Sequence, residues 1–368
     1  MKSCSLLHLV QSRASNNLNA IRLVLAILVI LDHSFPLTLG KKNDPLYVLS
    51  HQQTTIGGLA VDLFFFISGF LITASWLNCK TMNDYMRRRI LRIFPGFLVA
   101  LIFSFVVASA FAAYPFGRLP GDLSIRLHEF RDFFSLGFNS TTGDWIFPDN
   151  PTPGYSNGSL WTIRKEFVCY LLVAAIGLFG FFQRRILVLT LFLVLLDYYA
   201  ISLIKHAPEI TYRFETFFFA GCITWLWRDK VPVNHTLAVL ALAITLITTQ
   251  FPPFFMLLMP LAASYLVLWA GYAFQIKPLA WCDRTDLSYG VYLFAFPVQQ
   301  ALVAMGMSAP WSLFAVATLV TLGIAWLSWH LVEKPCLNLK SRDFSDHDPC
   351  RSIGLDKTAN PTAAKISW

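Results

Sequence analysis

An arginine and a histidine lie eleven positions apart in an apolar run, NAIRLVLAILVILDHS (residues 19–34). On a helix this spacing is three turns plus about 20°, so Arg22 and His33 face the same side about 16 Å apart along the axis. Histidine suits proton transfer near neutral pH. Ionisable side chains within a membrane segment predict a functional site. The alternative is that Arg22 snorkels to the interface and His33 makes a buried hydrogen bond.

Three carboxylates are candidates to orient that imidazole. Asp32 is adjacent to His33 but rotated about 100° from it on a helix. Asp62 lies near the predicted outer end of the segment GGLAVDLFFFISGFLITASW, which is its start, and Glu166 lies in NGSLWTIRKEFVCY. Alternatively, Glu166 only forms an ion pair with Arg164 or Lys165. We therefore predict a catalytic set of His33 with Asp32, Asp62 and Glu166.

A cluster of arginines occurs in MRRRILRIFP, residues 86–95. Arg88 and Arg92 share a helix face at i, i+4, with Arg89 close by. A guanidinium grips phosphate with a planar fork, so these three side chains and Arg22 are candidates to bind an anionic cofactor. The alternative is the positive-inside rule together with lipid headgroups.

Aromatic residues accompany Glu166 near the predicted outer end of its span. A carboxylate with Trp161 and Tyr170 has the character of a sugar site, because ring faces cover apolar C–H surfaces while the carboxylate binds hydroxyls. Trp161 also fits an interfacial belt. Arg213 is added to these two as a predicted substrate-binding residue.

The elements that must position these residues are apolar helices. The chain has 368 residues, of which 56% are hydrophobic and only 14% charged, a composition that indicates an integral membrane protein. Each candidate span has the length that a hydrocarbon core of about 30 Å demands. The ten predicted spans lie near 19–39, 57–78, 94–114, 160–182, 186–204, 211–227, 235–250, 254–274, 286–306 and 311–332.

Charge distribution predicts the topology of this all-α polytopic membrane protein. Of the 29 basic residues, 19 fall in the N-terminal segment, the tail and alternate connections, and 6 fall in the other connections. This asymmetry places both termini in the cytoplasm and argues against nucleic acid as the partner of a chain with net charge +8. No cysteine falls in a predicted outside loop and no C-x-x-C occurs, so we predict neither a disulfide nor a metal site.

The predicted domain organisation is simple. A cytoplasmic segment (1–18) precedes a transmembrane domain (19–335), and a polar cytoplasmic tail (336–368) follows it. The one long outside loop, 115–158, is rich in Gly, Pro, Asn and aromatic residues, so turns should order it. A connection of this length usually serves as a lid or a binding loop.

These segments together resemble the membrane acyltransferase-3 family, the O-acetyltransferases of bacterial surface polysaccharides. The resemblance covers about 280 residues. Its motifs, in family order, are Arg22 with His33, DLFFFISGFLI (62–72), RRRILRIFP (87–95), NGSLWTIRKE (157–166), RFETFFFAG (213–221) and LSYGVYLFAFPVQQ (287–300).

The resemblance implies acetyl transfer from cytoplasmic acetyl-CoA, as co-substrate, to a sugar hydroxyl across the bacterial inner membrane. The acceptor would be a surface polysaccharide or exopolysaccharide, or its lipid-linked precursor, with polysaccharide assembly machinery as a candidate partner. The family's essential residues correspond to Arg22, His33, Arg88 and Arg92. Some relatives carry a histidine where this chain has Ala295, so that position cannot act as a base here.

Two alternatives remain at the level of sequence. His33 either removes the hydroxyl proton directly or carries the acetyl group as an acyl-histidine intermediate. A transporter or flippase of a glycan-lipid or a small anion would also contain buried charges and ten spans. The absence of a visible inverted repeat weighs against the transporter.

Overall fold

The computed structural model describes residues 4–12, 16–40, 43–112, 146–205, 212–252, 254–273, 276 and 281–339. Within these ranges the fold is helical, with one short antiparallel pairing. The helices are α1 Leu6–Ser12, α2 Leu18–Ser34, α3 Pro45–Leu49, α4 Ile56–Asn78, α5 Met82–Ala110, α6 Trp161–Leu178, α7 Arg185–Ile204, α8 Arg213–Leu226, α9 His235–Thr248, α10 Phe254–Tyr272, α11 Ser288–Ala304, α12 Pro310–Ser328 and α13 Lys334–Asn338.

Each of the ten predicted spans contains a helix. Among the described residues, five helices are long and apolar enough to cross a bilayer: α4, α5, α7, α10 and the continuous helical segment Pro310–Asn338. A π-helical turn, Trp329–Glu333, joins α12 to α13 within that segment. The helical fold and a multi-pass membrane protein are thereby supported, while the count of ten spans and the cytoplasmic termini stay predictions.

Two details differ from the expected architecture. The chain is not purely helical, because β1 (Cys4–Ser5) pairs antiparallel with β2 (Pro232–Val233). The third predicted span begins earlier than expected, at Met82, and continues through Pro95, which is not a helix break. The hydroxyl of Thr81 accepts a hydrogen bond from the backbone N–H of Asp84 and caps this helix, so the arginine segment is its first turns.

Small residues set the closest helix packing in the core. A Cβ on Gly69 of α4 would lie 1.9 Å from the carbonyl oxygen of Phe218 on α8, and one on Gly221 would lie 2.1 Å from that of Phe66. Only glycine permits this backbone approach, which is the usual basis of tight helix pairs in membranes. The contact holds α8, and with it Arg213, against α4.

The predicted outside loop and tail lie partly outside the described residues. Residues 146–160 form turns and bends that pack on α11. Asn150 donates hydrogen bonds to the backbone and side-chain oxygens of Gln300, and Asn157 donates to the carbonyl of Leu293. This part of the loop therefore carries Ser159 and Trp161 to a fixed position. Residues 113–145 and 340–368 lie outside the described ranges.

Candidate active site

One cavity of about 130 Å³, here called the arginine cavity, lies between α2, α4, α5, α6 and the segment before α11. Arg22 on α2 and Arg92 on α5 both donate to the same oxygen, Oδ2 of Asp286. The other oxygen of Asp286 accepts hydrogen bonds from the backbone N–H and hydroxyl of Ser288, at the start of α11. Asp286 therefore joins three helices around two guanidinium groups.

A third arginine contributes an open donor to this cavity. Arg89 is buried, and its guanidinium carbon lies 5.9 Å from the ring centroids of Tyr85 and of Tyr170. One terminal nitrogen donates to the hydroxyl of Ser75 at 3.3 Å, while Nε has no hydrogen-bond partner among the described residues. A buried unpaired donor on a cation is costly, so this geometry suits an anionic ligand.

The fourth predicted arginine stands apart from the cavity. Arg88 donates two hydrogen bonds to Asp84, at 3.0 and 2.9 Å, one helical turn earlier on α5. It does not line the arginine cavity, whereas Arg89 and Arg92 do. The helix face that the sequence predicted for Arg88 and Arg92 is therefore not the face that the cavity uses.

A second and larger cavity of about 300 Å³, here called the histidine cavity, lies at the other end of α2. Its lining includes His33, Asp32, Asp44, Trp161 and Arg213. It is open enough to admit a ligand and carries two carboxylates beside the imidazole. Arg213 and Trp161, two of the three predicted substrate-binding residues, are thus brought to His33.

His33 is held by packing rather than by hydrogen bonds. Its Nε2 lies 4.0 Å from Oδ2 of Asp32, which is longer than a hydrogen bond, and its Nδ1 is buried without a partner among the described residues. The ring meets Phe296 edge-on at 5.2 Å. Gly158 makes room for Phe296, because a Cβ there would lie 2.7 Å from that ring. Packing therefore encloses Nδ1, and Nε2 makes no hydrogen bond to Asp32.

The other two predicted carboxylates are engaged elsewhere. Asp62 is fully buried and accepts hydrogen bonds from Nε (2.8 and 3.0 Å) and a terminal nitrogen (2.6 Å) of Arg213. The same nitrogen of Arg213 also donates to the hydroxyl of Thr54. Glu166 accepts from the hydroxyls of Ser68 and Tyr170. Of the three predicted carboxylates, Asp32 is thus the one that the structure places beside the imidazole.

Asp44 adds a second carboxylate to the histidine cavity. It caps α3 by accepting from the backbone N–H of Tyr47 at 2.8 Å, and it reaches the N–H of Ile56 at 3.4 Å. Burial raises the pKa of the Asp44 carboxyl, and the charge of Asp32 adds to this rise, while hydrogen bonds from three backbone N–H groups, those of Tyr47, Ile56 and Leu46, oppose it. Two carboxyl groups, those of Asp32 and Asp44, therefore line the same cavity as His33.

Glycines at the start of α4 allow this arrangement. A Cβ on Gly57 would lie 2.6 Å from Cβ of Asp32, and one on Gly58 would lie 3.1 Å from a terminal nitrogen of Arg213. The pair therefore lets α4 approach both side chains closely. The GG dipeptide is the sequence signal for this close approach.

A small third cavity of about 40 Å³, here called the neck, lies between the other two. It shares Arg22 and Ser68 with the arginine cavity, and Thr162 and Tyr292 with the histidine cavity. Glu166 lines the neck. The three cavities therefore form a series that follows α2 from Arg22 toward His33.

The three residues that the sequence grouped into a sugar site around Glu166 line three different cavities. Trp161 lines the histidine cavity, Glu166 the neck and Tyr170 the arginine cavity. Nine residues separate the two aromatic side chains on α6, which corresponds to about 13 Å of rise. The structure thus places Tyr170 with the arginines and leaves Trp161 with His33.

Several residues of the site were missed from the sequence. Asp286 precedes the apolar run LSYGVYLFAFP directly, and its acidic charge beside an apolar segment was the available signal. Gln299 on α11 donates to the carbonyl of Ile30 and the hydroxyl of Ser34, and so fixes the end of α2 that carries His33. The signal for Gln299 was a polar pair within an apolar helix.

The chain is similar to one family of known proteins. The family model described as Acyltransferase domain matches residues 15–330. The chain is 28% identical to an "O-acetyl transferase" of Shigella phage Sf6, over 90% of this chain and 98% of that protein. It is 26% identical to "Nodulation protein 10" of Rhizobium leguminosarum bv. viciae, over 89% of this chain and 94% of that protein. No solved structure gives a significant match to the chain.

Proposed function

Because the chain belongs to the acyltransferase domain family, we propose that it transfers an acetyl group from cytoplasmic acetyl-CoA to a sugar hydroxyl of a surface polysaccharide or exopolysaccharide, or of its lipid-linked precursor. Membership of this family identifies the chain as a membrane acyltransferase. O-acetyl transfer is the activity in the name of the phage relative. The observation that carries the finer proposal is the series of cavities from three arginines to one histidine.

The arginine cavity supports the choice of donor. Coenzyme A is a phosphorylated nucleotide, and guanidinium groups bind phosphate oxygens through paired hydrogen bonds. Arg22, Arg89 and Arg92 would hold this end of the molecule, with Asp286 keeping the first and the third in place. In the predicted topology this end of α2 is cytoplasmic, where acetyl-CoA is made.

The neck supports a path for the thioester. The pantetheine arm of the donor is long and narrow, and the rise from Arg22 to His33 is about 16 Å along α2. An arm that follows the neck would bring the thioester to the histidine cavity. Both substrates would then meet in one enclosed place, which supplies much of the rate of a bimolecular reaction.

The geometry at His33 supports general-base catalysis. Because Nδ1 is buried, Nε2 of His33, which lies 4.0 Å from Oδ2 of Asp32, would take the proton of the sugar hydroxyl. The hydroxyl oxygen forms a bond with the carbonyl carbon, the carbon–sulfur bond breaks, and the proton passes from His33 to the departing thiolate. Trp161 and the carboxylates Asp32 and Asp44 would contact the acceptor from the remaining walls.

The O-acetyl content of the host's surface polysaccharide tests this function, measured by proton NMR. We expect acetyl signals to vanish on deletion, to return with the wild-type protein, and not to return with His33→Ala at matched membrane expression. His330→Ala is the matched control, because His330 is a histidine that lines none of the three cavities. Acetylation that survives deletion while polymer export fails would replace the enzyme with a flippase.

A further inference from the structure

Glu166 lines the neck with one carboxylate oxygen held by the protein and the other open. Its Oε1 accepts hydrogen bonds from the hydroxyls of Ser68, at 2.9 Å, and of Tyr170. Its Oε2 has no hydrogen-bond partner among the described residues. We propose that Oε2 accepts a hydrogen bond from the pantetheine arm of acetyl-CoA, at the amide N–H nearer to the phosphates. This inference rests on the proposed function, because that function routes the arm through the neck.

Two helices fix the position of this carboxylate. Glu166 and Tyr170 lie one turn apart on α6, whereas Ser68 lies on α4. Ser68 and Tyr170 also line the arginine cavity. The carboxylate therefore lies where the neck adjoins the arginines rather than where it adjoins His33. An arm whose phosphates are bound by the arginines would bring its nearer amide to this place.

The apolar wall of the neck makes an acceptor necessary there. Val61, Phe64 and Phe65 of α4 line the neck beside Glu166. The pantetheine arm consists of apolar carbon segments joined by two secondary amides. Its carbon segments suit this wall, but an amide N–H that leaves water for an apolar place without a partner is strongly unfavourable. An acceptor oxygen in the neck removes that penalty.

Other hydroxyl groups in the neck donate to the protein itself. The hydroxyl of Tyr289 donates to the carbonyl of Ile93 at 2.8 Å, and that of Tyr292 donates to the carbonyl of Ser159 at 3.0 Å. A carboxylate is also the stronger acceptor, because a hydrogen bond to an ionised group is roughly twice as strong as one between neutral groups. Oε2 of Glu166 is therefore the atom best suited to the amide.

The test compares three donors in inverted membrane vesicles of the host that contain the full-length protein and the host's own glycan. The donors are acetyl-CoA and two analogues, in which an ester oxygen replaces the N–H of either the nearer or the farther amide. Release of free thiol gives kcat/KM, with vesicles of the deletion strain as background. We expect the wild type to use the nearer-ester analogue at least about tenfold less efficiently than acetyl-CoA, the effect of one lost hydrogen bond to a charged group.

Glu166→Gln is the main variant, because it keeps the shape of the side chain and an oxygen for the hydroxyls of Ser68 and Tyr170. Its NH2 group donates where Oε2 accepts. We expect this variant to use acetyl-CoA at least about tenfold less efficiently and to lose the preference for acetyl-CoA over the nearer-ester analogue. The ratio between acetyl-CoA and the farther-ester analogue should stay as in the wild type.

Glu215→Gln is the matched control. Glu215 is also a partly buried glutamate, and it lines none of the three cavities. We expect this variant to retain the wild-type preference among the donors. Glu166→Asp is a second variant of the site, for use if Glu166→Gln fails to accumulate. It keeps the charge but withdraws the carboxylate by one methylene group, so it should also weaken the preference for the nearer N–H.

A purely structural role for Glu166 predicts a different result. A looser contact between α4 and α6 would lower the rates with all three donors by the same factor, and so would a lost action of Glu166 on His33. Unchanged ratios between the donors in the two Glu166 variants would therefore overturn the proposal. Equal use of acetyl-CoA and the nearer-ester analogue by the wild type would overturn it without any variant. Thiol release from acetyl-CoA no higher than in the deletion vesicles would instead overturn the proposed function.

Discussion

Arg22 and Asp286 lie 264 positions apart in the sequence and form an ion pair of 2.8 Å. The same carboxylate oxygen also accepts from Arg92. One acidic side chain thus holds two cations from two helices at the wall of the arginine cavity.

We expect Asp286→Asn to destabilise the protein and to weaken binding of the donor. Two mostly buried guanidinium groups would lose their shared counterion and repel each other, at a cost of about 3 kcal/mol in the free energy of unfolding. Thermal unfolding of the purified protein in detergent, together with KM for acetyl-CoA, measures both effects.

Asp229→Asn is the control for this prediction. Asp229 pairs with Arg185 at 3.2 Å, and about two fifths of each side chain is exposed. An exposed pair is worth only about 0–1 kcal/mol, so the midpoint should hardly move. Equal shifts in the two variants would show that the shared carboxylate is no more important than a surface pair.

Two adjacent arginines provide a test of the donor site. Arg89 lines the arginine cavity with an unpaired Nε, whereas Arg88 is bound by Asp84 outside it. We expect Arg89→Gln to raise KM for acetyl-CoA by about tenfold, the effect of one lost charged hydrogen bond of about 1.5 kcal/mol. Arg88→Gln should change KM by less than about twofold, because Arg88 does not line the cavity and an i, i+4 pair on a helix contributes only about 0.3–0.5 kcal/mol.

Steady-state rates at varied acetyl-CoA separate these outcomes. If Arg88→Gln raises KM as much as Arg89→Gln does, the face predicted from sequence binds the donor and the cavity does not. Matched membrane expression of the two variants removes differences in folding from the comparison.

Gly57→Ala should reduce activity by displacing Asp32. The new Cβ would lie 2.6 Å from Cβ of Asp32, so α2 or α4 must shift, at a cost of about 1–3 kcal/mol. We expect a lower kcat with a nearly unchanged KM for acetyl-CoA, because the arginine cavity is not touched.

Gly323→Ala is the matched substitution, since nothing lies within 4 Å of the position of its Cβ on α12. Alanine is favoured over glycine inside a helix, so this variant should be as stable as the wild type or slightly more so. Unchanged kcat and unfolding midpoint in Gly57→Ala would show that the contact between α4 and Asp32 does not position the site.

The positions of the helices could be predicted because each long apolar run needs a helix to satisfy its backbone in lipid. The sequence signal failed at the start of α5, where Arg87–Arg92 interrupt the hydrophobic pattern. Arginine is nevertheless a good helix former, and Thr81 caps the helix at its start. Pro95 lies inside α5, which continues through it.

Candidate site residues could be selected by type, whereas their partners could not. Ionisable groups in apolar segments are rare enough to identify Arg22, His33, Asp62 and Arg213 from the sequence. Helical periodicity grouped Arg88 with Arg92, yet the packing of α5 against α6 and the segment before α11 directs Arg89 into the cavity instead.

The sequence by itself determined that this chain is helical and apolar, and that Arg22 and His33 share one face of α2 at a fixed separation. Those properties follow from composition and from helix geometry, which are local. Only the tertiary structure decided that Asp62 pairs with Arg213, that Asp286 joins Arg22 to Arg92, and that three cavities lie in series between the arginines and His33. These relationships depend on contacts between helices far apart in the chain, which no local pattern encodes.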